Sequence, residues 1–247
     1  MSYAGYGRVV NELARAIQDA HRIVFFGGAG VSTESGIPDF RSSGGLYHQQ
    51  TGTSYPPEAV LSRSFFDRYP ADFFDFYRRY LLHPDAQPNP AHTALARLEA
   101  AGKLTAVITQ NIDGLHQAAG STNVWELHGS VHRNTCLSCG RTYPMQTVLT
   151  ADGIPRCDCG GMIKPDVVLY EEALDSAVIE ASISALEAAD TLIVGGTSLV
   201  VYPAAGLVQA FGGHTLILIN TQATAMDSAA TLVVREPIGQ ALGAAVP

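Results

Sequence analysis

Two close cysteine pairs, Cys136-Leu137-Ser138-Cys139 and Cys157-Asp158-Cys159, have the spacing that most plainly allows chemistry. Residues 140–156 separate them, and Gly140 and Gly160 follow the pairs. Four thiolates so placed suit one tetrahedral zinc ion, and because they fill its shell the ion is expected to be structural. Two disulfides or free thiols are the alternatives, and a cytoplasmic setting disfavours the disulfides.

A second cluster lies near the start of the chain. Gly27-Gly28-Ala29-Gly30 follows the apolar run Ile23-Val24-Phe25-Phe26, and the loop continues through Ser32, Thr33, Asp39, Phe40 and Arg41. A buried strand ending in a small-residue turn brings backbone N–H groups close to a phosphate. The hydroxyls and the guanidinium fork that follow add further donors. A nucleotide whose reactive end sits beside the loop is expected, against the plainer reading of a tight structural turn. The dinucleotide fingerprint is partial: Gly28 and Gly30 are its first two glycines, but Thr33 stands in place of the third. No acidic residue ends a second strand at the distance needed to hold an adenine ribose, which disfavours an ordinary dehydrogenase.

Gln110-Asn111-Ile112-Asp113 comes just past the apolar segment Leu104–Thr109, at the carboxyl edge of any sheet that segment joins. Ligands of open α/β sheets bind at that edge. Asn111 and Asp113 could equally cap a helix starting near Gly114. His116, His128 and His132 are candidate general bases, because imidazole titrates near neutrality. Their spacing does not choose among them.

The elements that must position these groups follow from periodicity. Val9, Leu13 and Ile17 mark an amphipathic helix over Arg8–Ala20, and Ile23–Phe26 is the first strand. Residues 42–57 are rich in Gly, Ser, Thr and Tyr and read as a loop. The aromatic-dense Phe65–Leu82 reads as one helix, and Ala91–Ala101 as another closed by Gly102. Leu104–Thr109, Val124–Leu127 and Val167–Leu169 are further strands, with a helix over Asp175–Ala188. Strands Thr191–Val194 and Thr215–Ile219, joined by a helix, would complete a βαβ unit, and Thr231–Val234 with Ile238–Leu242 closes the fold. The fold class is α/β, an open, mostly parallel Rossmann-like sheet with a small inserted zinc-binding module. The large unit is expected over 1–129 and 165–247 and the module over 130–164, with helices within 42–90 left open as part of the small lobe.

A chain of 247 residues, 47% hydrophobic and 15% charged, can bury a full core. Its net charge of −8 argues against nucleic-acid binding through phosphate contacts. No Asp, Glu, Lys or Arg lies between Asp190 and Asp227. Gly195, Gly196, Pro203, Gly206, Gly212 and Gly213 cut that run into short pieces, so buried parallel strands are expected and not a membrane span. The N-terminus lacks the pattern of a secretory signal, so a cytoplasmic location is the default expectation.

Several stretches, in order, resemble the signatures of the sirtuins, the NAD-dependent protein lysine deacylases. They are Gly27 to Arg41, Thr109-Gln110-Asn111-Ile112-Asp113-Gly114-Leu115-His116, and Glu126-Leu127-His128-Gly129-Ser130. The cysteine pairs, Lys164-Pro165-Asp166-Val167-Val168 and Gly195-Gly196-Thr197-Ser198-Leu199 follow. The resemblance implies NAD as cofactor, held by Gly28, Ala29, Gly30, Thr33 and Asp39, with Phe40 and Arg41 flanking its nicotinamide end. It implies Gln110 and Asn111 near the ribose, Ile112 and Asp113 at the carboxamide, and His128 as base with Asn111 as its catalytic companion. Gly196, Thr197, Ser198, Asn220 and Thr221 would hold the adenosine half, with Ile238 closing over adenine.

The same resemblance places an acetyl-lysine peptide as an added strand between Val168, Leu169, Tyr170 and the segment of Val200 and Tyr202. The chain departs from the commoner family form at three points: a C-x-C second cysteine pair, Leu169-Tyr170 in place of two Phe, and Glu171 in place of a glycine. In Tyr77-Arg78-Arg79-Tyr80, Tyr80 stands where relatives that prefer acidic acyl groups carry Arg, so neutral acyl groups are expected, acetyl first. The implied activity transfers the acetyl group of acetyl-lysine to ADP-ribose, releasing nicotinamide and O-acetyl-ADP-ribose. A protein mono-ADP-ribosyltransferase on the same site, or a non-catalytic NAD-binding interaction module, are the alternatives. Acetylated lysine peptides are the expected partners, with no nucleic acid and no membrane.

Overall fold

The computed structural model describes residues 3–49 and 54–246. Part of the loop expected over 42–57, residues 50–53, lies outside the described residues. The chain opens with helix α1 (Tyr3–Asp19), earlier than the expected start, and buries Leu13 and Ile17. Strand β1 (Ile23–Gly27) follows, buried at all five positions. A strand buried on both faces needs helices above and below it, which is the parallel α/β arrangement.

Helices α2 (Pro57–Val60), α3 (Arg63–Arg68) and α4 (Pro70–Tyr80) come next. The single helix expected over Phe65–Leu82 is thus two. Pro70 disfavours helical geometry at the residue before it, and Tyr69 sits at φ −132°. Helix α5 (Pro90–Ala100) starts with Asn89 as cap and Pro90 in its first turn, and His92 completes a capping box. Then come β2 (Leu104–Thr109), α6 (Leu115–Ala118), β3 (Val124–Glu126), β4 (Gly129–Cys136), β5 (Thr142–Tyr143), α7 (Met145–Leu149) and β6 (Ile163–Val167). Helix α8 (Ser176–Ala188), capped by Asp175, leads to β7 (Thr191–Gly195), β8 (Thr215–Ile219), β9 (Leu232–Val234) and α9 (Ile238–Ala245).

Two expectations shift here. The strand expected over Val167–Leu169 ends at Val167, and the Val168 N–H turns to donate to His128 O at 2.9 Å. The connection between β7 and β8 is a 3-10 helix over Ala204–Ala210 and not an α-helix. Pro203, Gly206, Gly212 and Gly213 leave too short a run for a stable α-helix.

The main sheet runs β3-β2-β1-β7-β8-β9, and every pairing in it is parallel. β4 pairs antiparallel with β5 and β6 in a second, three-stranded sheet. The expected fold class is borne out. Alternate residues of the central strands face opposite sides of the main sheet. Ile23, Phe25, Ile193 and Ile217 join one apolar cluster, and Val24, Phe26, Leu192 and Val194 another. A third cluster joins Phe66, Phe73, Phe74 and Phe76 to Val131, Cys136, Cys157 and Ile163, so α3 and α4 pack on the cysteine-bearing sheet. Each such buried side chain contributes roughly 1.5–3 kcal/mol. No helix among the described residues is long and apolar enough to cross a membrane.

Candidate active site

The strand order reverses at β1, which has β2 on one side and β7 on the other. The crevice outside the carboxyl ends of strands at such a switch point is where open α/β sheets bind ligands. Gly27 stands in register with both Thr109 and Gly195, so three loops leave the sheet side by side. The Gly30 N–H donates to Gly196 O at 2.8 Å. A Cβ on Gly30 would lie 2.8 Å from Gly196 Cα, and Gly196 itself sits at φ +59°, so this backbone crossing needs glycine on both sides.

These loops open into a cleft of about 790 Å³. Gly28, Ala29, Gly30 and Thr33 line it, followed by Asp39, Phe40 and Arg41. Asp39 Oδ1 accepts from the Arg41 and Ser42 N–H groups at 3.1 and 2.8 Å, which folds the loop back on itself. Gly196, Thr197 and Ser198 also line it, with Asn220 and Thr221. Ile238 lines the cleft from below, so close over the end of β7 that a Cβ on Gly195 would collide with its Cδ1.

The Gln110–Asp113 turn is held on both sides. Gln110 Nε2 donates to Thr197 Oγ1 at 3.0 Å. Asn111 Nδ2 donates to Ser32 Oγ at 3.1 Å, and the Ser32 hydroxyl donates to Asp113 Oδ2 at 2.6 Å. Asp113 Oδ1 accepts the Leu115 N–H at 3.0 Å, so the capping reading of this residue is also realised. Ser32, expected only as one of the loop's donors, is buried and joins the two motifs.

His128 shares the cleft. Its Nδ1–H donates to Gln110 O at 2.9 Å. A carbonyl can only accept, so the neutral ring carries its proton on Nδ1 and keeps a lone pair on Nε2. Burial pushes its pKa below the ordinary 6.5, with the carbonyl bond opposing. The other two histidines take different places. His132 Nε2–H donates to Asp113 O at 2.9 Å and packs against Gly114. His116 is buried against Phe25 and His92, with ring centroids 5.9 and 4.8 Å away, and its pKa falls to about 3 through burial and the neighbouring His92.

Val168, Leu169, Tyr170 and Tyr202 also line the cleft. Val200 does not, being 56% exposed, and its neighbour Val201 lines the cleft in its stead. Tyr77 and Tyr80 face the cleft, whereas Arg79 pairs with Asp75 on the exterior and Arg78 donates to Val148 O and Gly153 O. No arginine of that segment points into the cleft. Tyr47, from the loop rich in small residues, was also missed: Arg41 lies 5.2 Å over its ring and Phe40 packs 5.5 Å away.

The four cysteine Sγ atoms lie within 4.8 Å of one another, with Cys136–Cys159 at 3.5 Å and Cys139–Cys157 at 3.6 Å. Zinc–thiolate bonds of about 2.3 Å in a tetrahedron put sulfurs about 3.8 Å apart, so the donor set fits one zinc ion and leaves no open position. The shortened second pair does not prevent this.

An α/β fold of this order, with a glycine-crossed cleft at its switch point, defines a dinucleotide-binding protein. The Sir2 family model matches residues 28–203. The chain is 58% identical over 235 residues to the NAD-dependent protein deacetylase of Clostridium acetobutylicum, covering 94% of this chain and 96% of that one. A solved Sir2 variant with deacetylated p53 peptide and 3′-O-acetyl ADP-ribose superposes with a TM-score of 0.86, at 36% identity over 95% of this chain and 96% of that one. A Sir2 homologue in complex with NAD gives 0.85, at 37% identity over 96% and 92%. The chain belongs to the Sir2 family.

Proposed function

We propose that the chain is an NAD-dependent protein lysine deacetylase with one structural zinc. The single observation that carries this is His128: a half-buried imidazole whose Nε2 is left as an acceptor in the cleft, beside the Asn111–Ser32–Asp113 chain. The donor set fits NAD, with a glycine-lined turn for the diphosphate, Arg41 and hydroxyls for polar groups, and Phe40 and Ile112 as apolar surface. When bound, NAD would supply an electrophilic ribose carbon with nicotinamide as its leaving group.

The chain's residues bind, orient and move a proton. Gln110 and Asn111 hold the ribose end, and Ile112 and Asp113 meet the carboxamide. Gly196, Thr197, Ser198, Asn220 and Thr221 hold the adenosine half, with Ile238 beneath. His128 Nε2 would accept a ribose hydroxyl proton, freeing that hydroxyl to bond the acetyl carbon, with water completing the break of the C–N bond and release of the lysine amine. Val168, Leu169 and Tyr170 form one wall for the acetyl-lysine peptide, and Tyr202 the other. The outward Arg78 and Arg79 support neutral acyl groups, acetyl first. Holding the amide against the ribose carbon supplies much of the acceleration.

We assign the zinc module to 130–164 and the NAD-binding unit to 1–129 and 165–247, with the helices within 42–90 packed on the module. A cytoplasmic location completes the reading. It is tested by incubating the protein with NAD and an acetyl-lysine peptide and weighing the peptide. Loss of the acetyl mass that depends on NAD supports it. Nicotinamide release with an unchanged peptide would refute it.

A further inference from the structure

The substrate segment 167–172 is tied to its surroundings in two directions. On one side Tyr170 N–H donates to Leu61 O and Arg63 N–H donates to Tyr170 O, both at 3.0 Å. Glu171 strengthens that side: its carboxylate accepts from the Ser64 N–H and from the Ser64 hydroxyl, each at 2.9 Å. These bonds hold Glu171 at φ 76°, a region that non-glycine residues rarely occupy. The segment is therefore anchored to the turn between α2 and α3.

On the other side the Tyr170 hydroxyl meets the Tyr47 hydroxyl at 2.7 Å. Tyr47 belongs to residues 39–49, the far part of the nucleotide loop, whose described hydrogen bonds otherwise run within that segment. Leu46 and Tyr47 donate to Asp39 O and Phe40 O, and His48 bonds Arg41 O. Leu46 is buried in the small-lobe cluster and adds apolar contact. Phe40 and Arg41 both pack on the Tyr47 ring, so these three side chains form one unit. The hydroxyl pair is the hydrogen bond that joins that unit to the anchored segment.

We propose that the Tyr47–Tyr170 hydroxyl pair is a clasp between the nucleotide loop and the substrate segment, which makes Tyr170 a positioning residue that couples NAD binding to peptide binding. The proposal rests on the deacetylase reading. A loop held by the clasp has less freedom to lose when a nucleotide binds, and a peptide that orders Tyr170 orders the loop as well. The coupling is reciprocal: whatever factor the peptide adds to nucleotide affinity, the nucleotide adds to peptide affinity. One hydrogen bond of ordinary net strength is worth about 2- to 10-fold in such a factor.

The test is calorimetric binding of ADP-ribose, with and without an acetyl-lysine peptide, to the wild type, Tyr47→Phe, Tyr170→Phe and the double variant. Phenylalanine keeps the ring packing, and thermal melts check that each variant is folded. In the wild type the peptide should tighten ADP-ribose. Either single variant should lose about 2- to 10-fold of that tightening, and the double variant should lose no more than a single one, since all remove the same bond. Unchanged tightening in the single variants, or losses that multiply in the double, would overturn the clasp while leaving the deacetylase reading intact. A wild type that deacetylates the peptide but shows no tightening would do the same. A wild type that binds neither ligand would end both.

Discussion

The tautomer of His128 is set by one carbonyl, Gln110 O, and its basicity by burial. A base with a lowered pKa stays neutral further into acid, so kcat/KM should be flat from about pH 6.5 upward and fall on an acid limb whose midpoint lies below 6.5. A pH–rate profile with its limb above 7 would contradict the assignment. His128→Ala should lower kcat by about 10²–10⁴-fold while leaving NAD affinity within a few-fold. Ser32 carries a different load. Ser32→Ala removes the hydroxyl that joins Asn111 to Asp113 and leaves a carboxylate oxygen without its donor. Steady-state kinetics should show kcat/KM for NAD lower by about tenfold, the cost of a charged hydrogen bond. The motifs themselves were legible as local strings, but the bridging role of Ser32 was not. It meets Asn111 and Asp113 across 79 and 81 residues, and Tyr47 meets Tyr170 across 123, so no local pattern carries either contact.

At the level of elements, two sulfurs of the cysteine site, Cys136 and Cys157, are buried in the same apolar cluster as Phe66, Phe73 and Phe74. The metal site and the small-lobe core are therefore one packing unit. Chelating the zinc, or Cys139→Ser, should lower the melting temperature by about 5–15 °C, equivalent to a few kcal/mol for a chain this long. It should also abolish activity, because β4 follows His128 directly. Metal-free protein with unchanged melting and turnover would refute that coupling. The central strands were readable because residues buried on both faces leave uninterrupted apolar runs, as in Ile23–Phe26 and Leu216–Ile219. The break at Tyr69-Pro70 was hidden because the aromatic face continues across it, from Phe65 and Phe66 to Phe73 and Phe74. The 3-10 connection over Ala204–Ala210 was hidden because small apolar residues fit either helix type.

For the molecule as a whole, two neutral histidines are enclosed between α5, β1 and α6. His92 is pushed down to about 4 by burial, against the pull of Asp113, and His116 to about 3. In the unfolded chain both bind protons near 6.5, while in the folded chain they do not until far lower pH. The unfolded state therefore gains protons as pH falls below about 6.5, and folding stability declines there by up to about 1.4 kcal/mol per histidine per pH unit. Denaturant midpoints should fall steadily from pH 7 to pH 5, and His116→Gln should flatten that slope. The fold class, the order of the motifs and the four-cysteine set were all legible in the sequence. The joining of α3 and α4 to the zinc sheet was not, since it depends on tertiary packing. The most direct measurement is the fate of the acetyl group when wild type and His128→Ala are given NAD and an acetyl-lysine peptide, read by mass spectrometry. O-acetyl-ADP-ribose, nicotinamide and bare lysine in equal amounts from the wild type, with His128→Ala nearly silent, is the predicted result. ADP-ribose left attached to protein, with the peptide still acetylated, would contradict it.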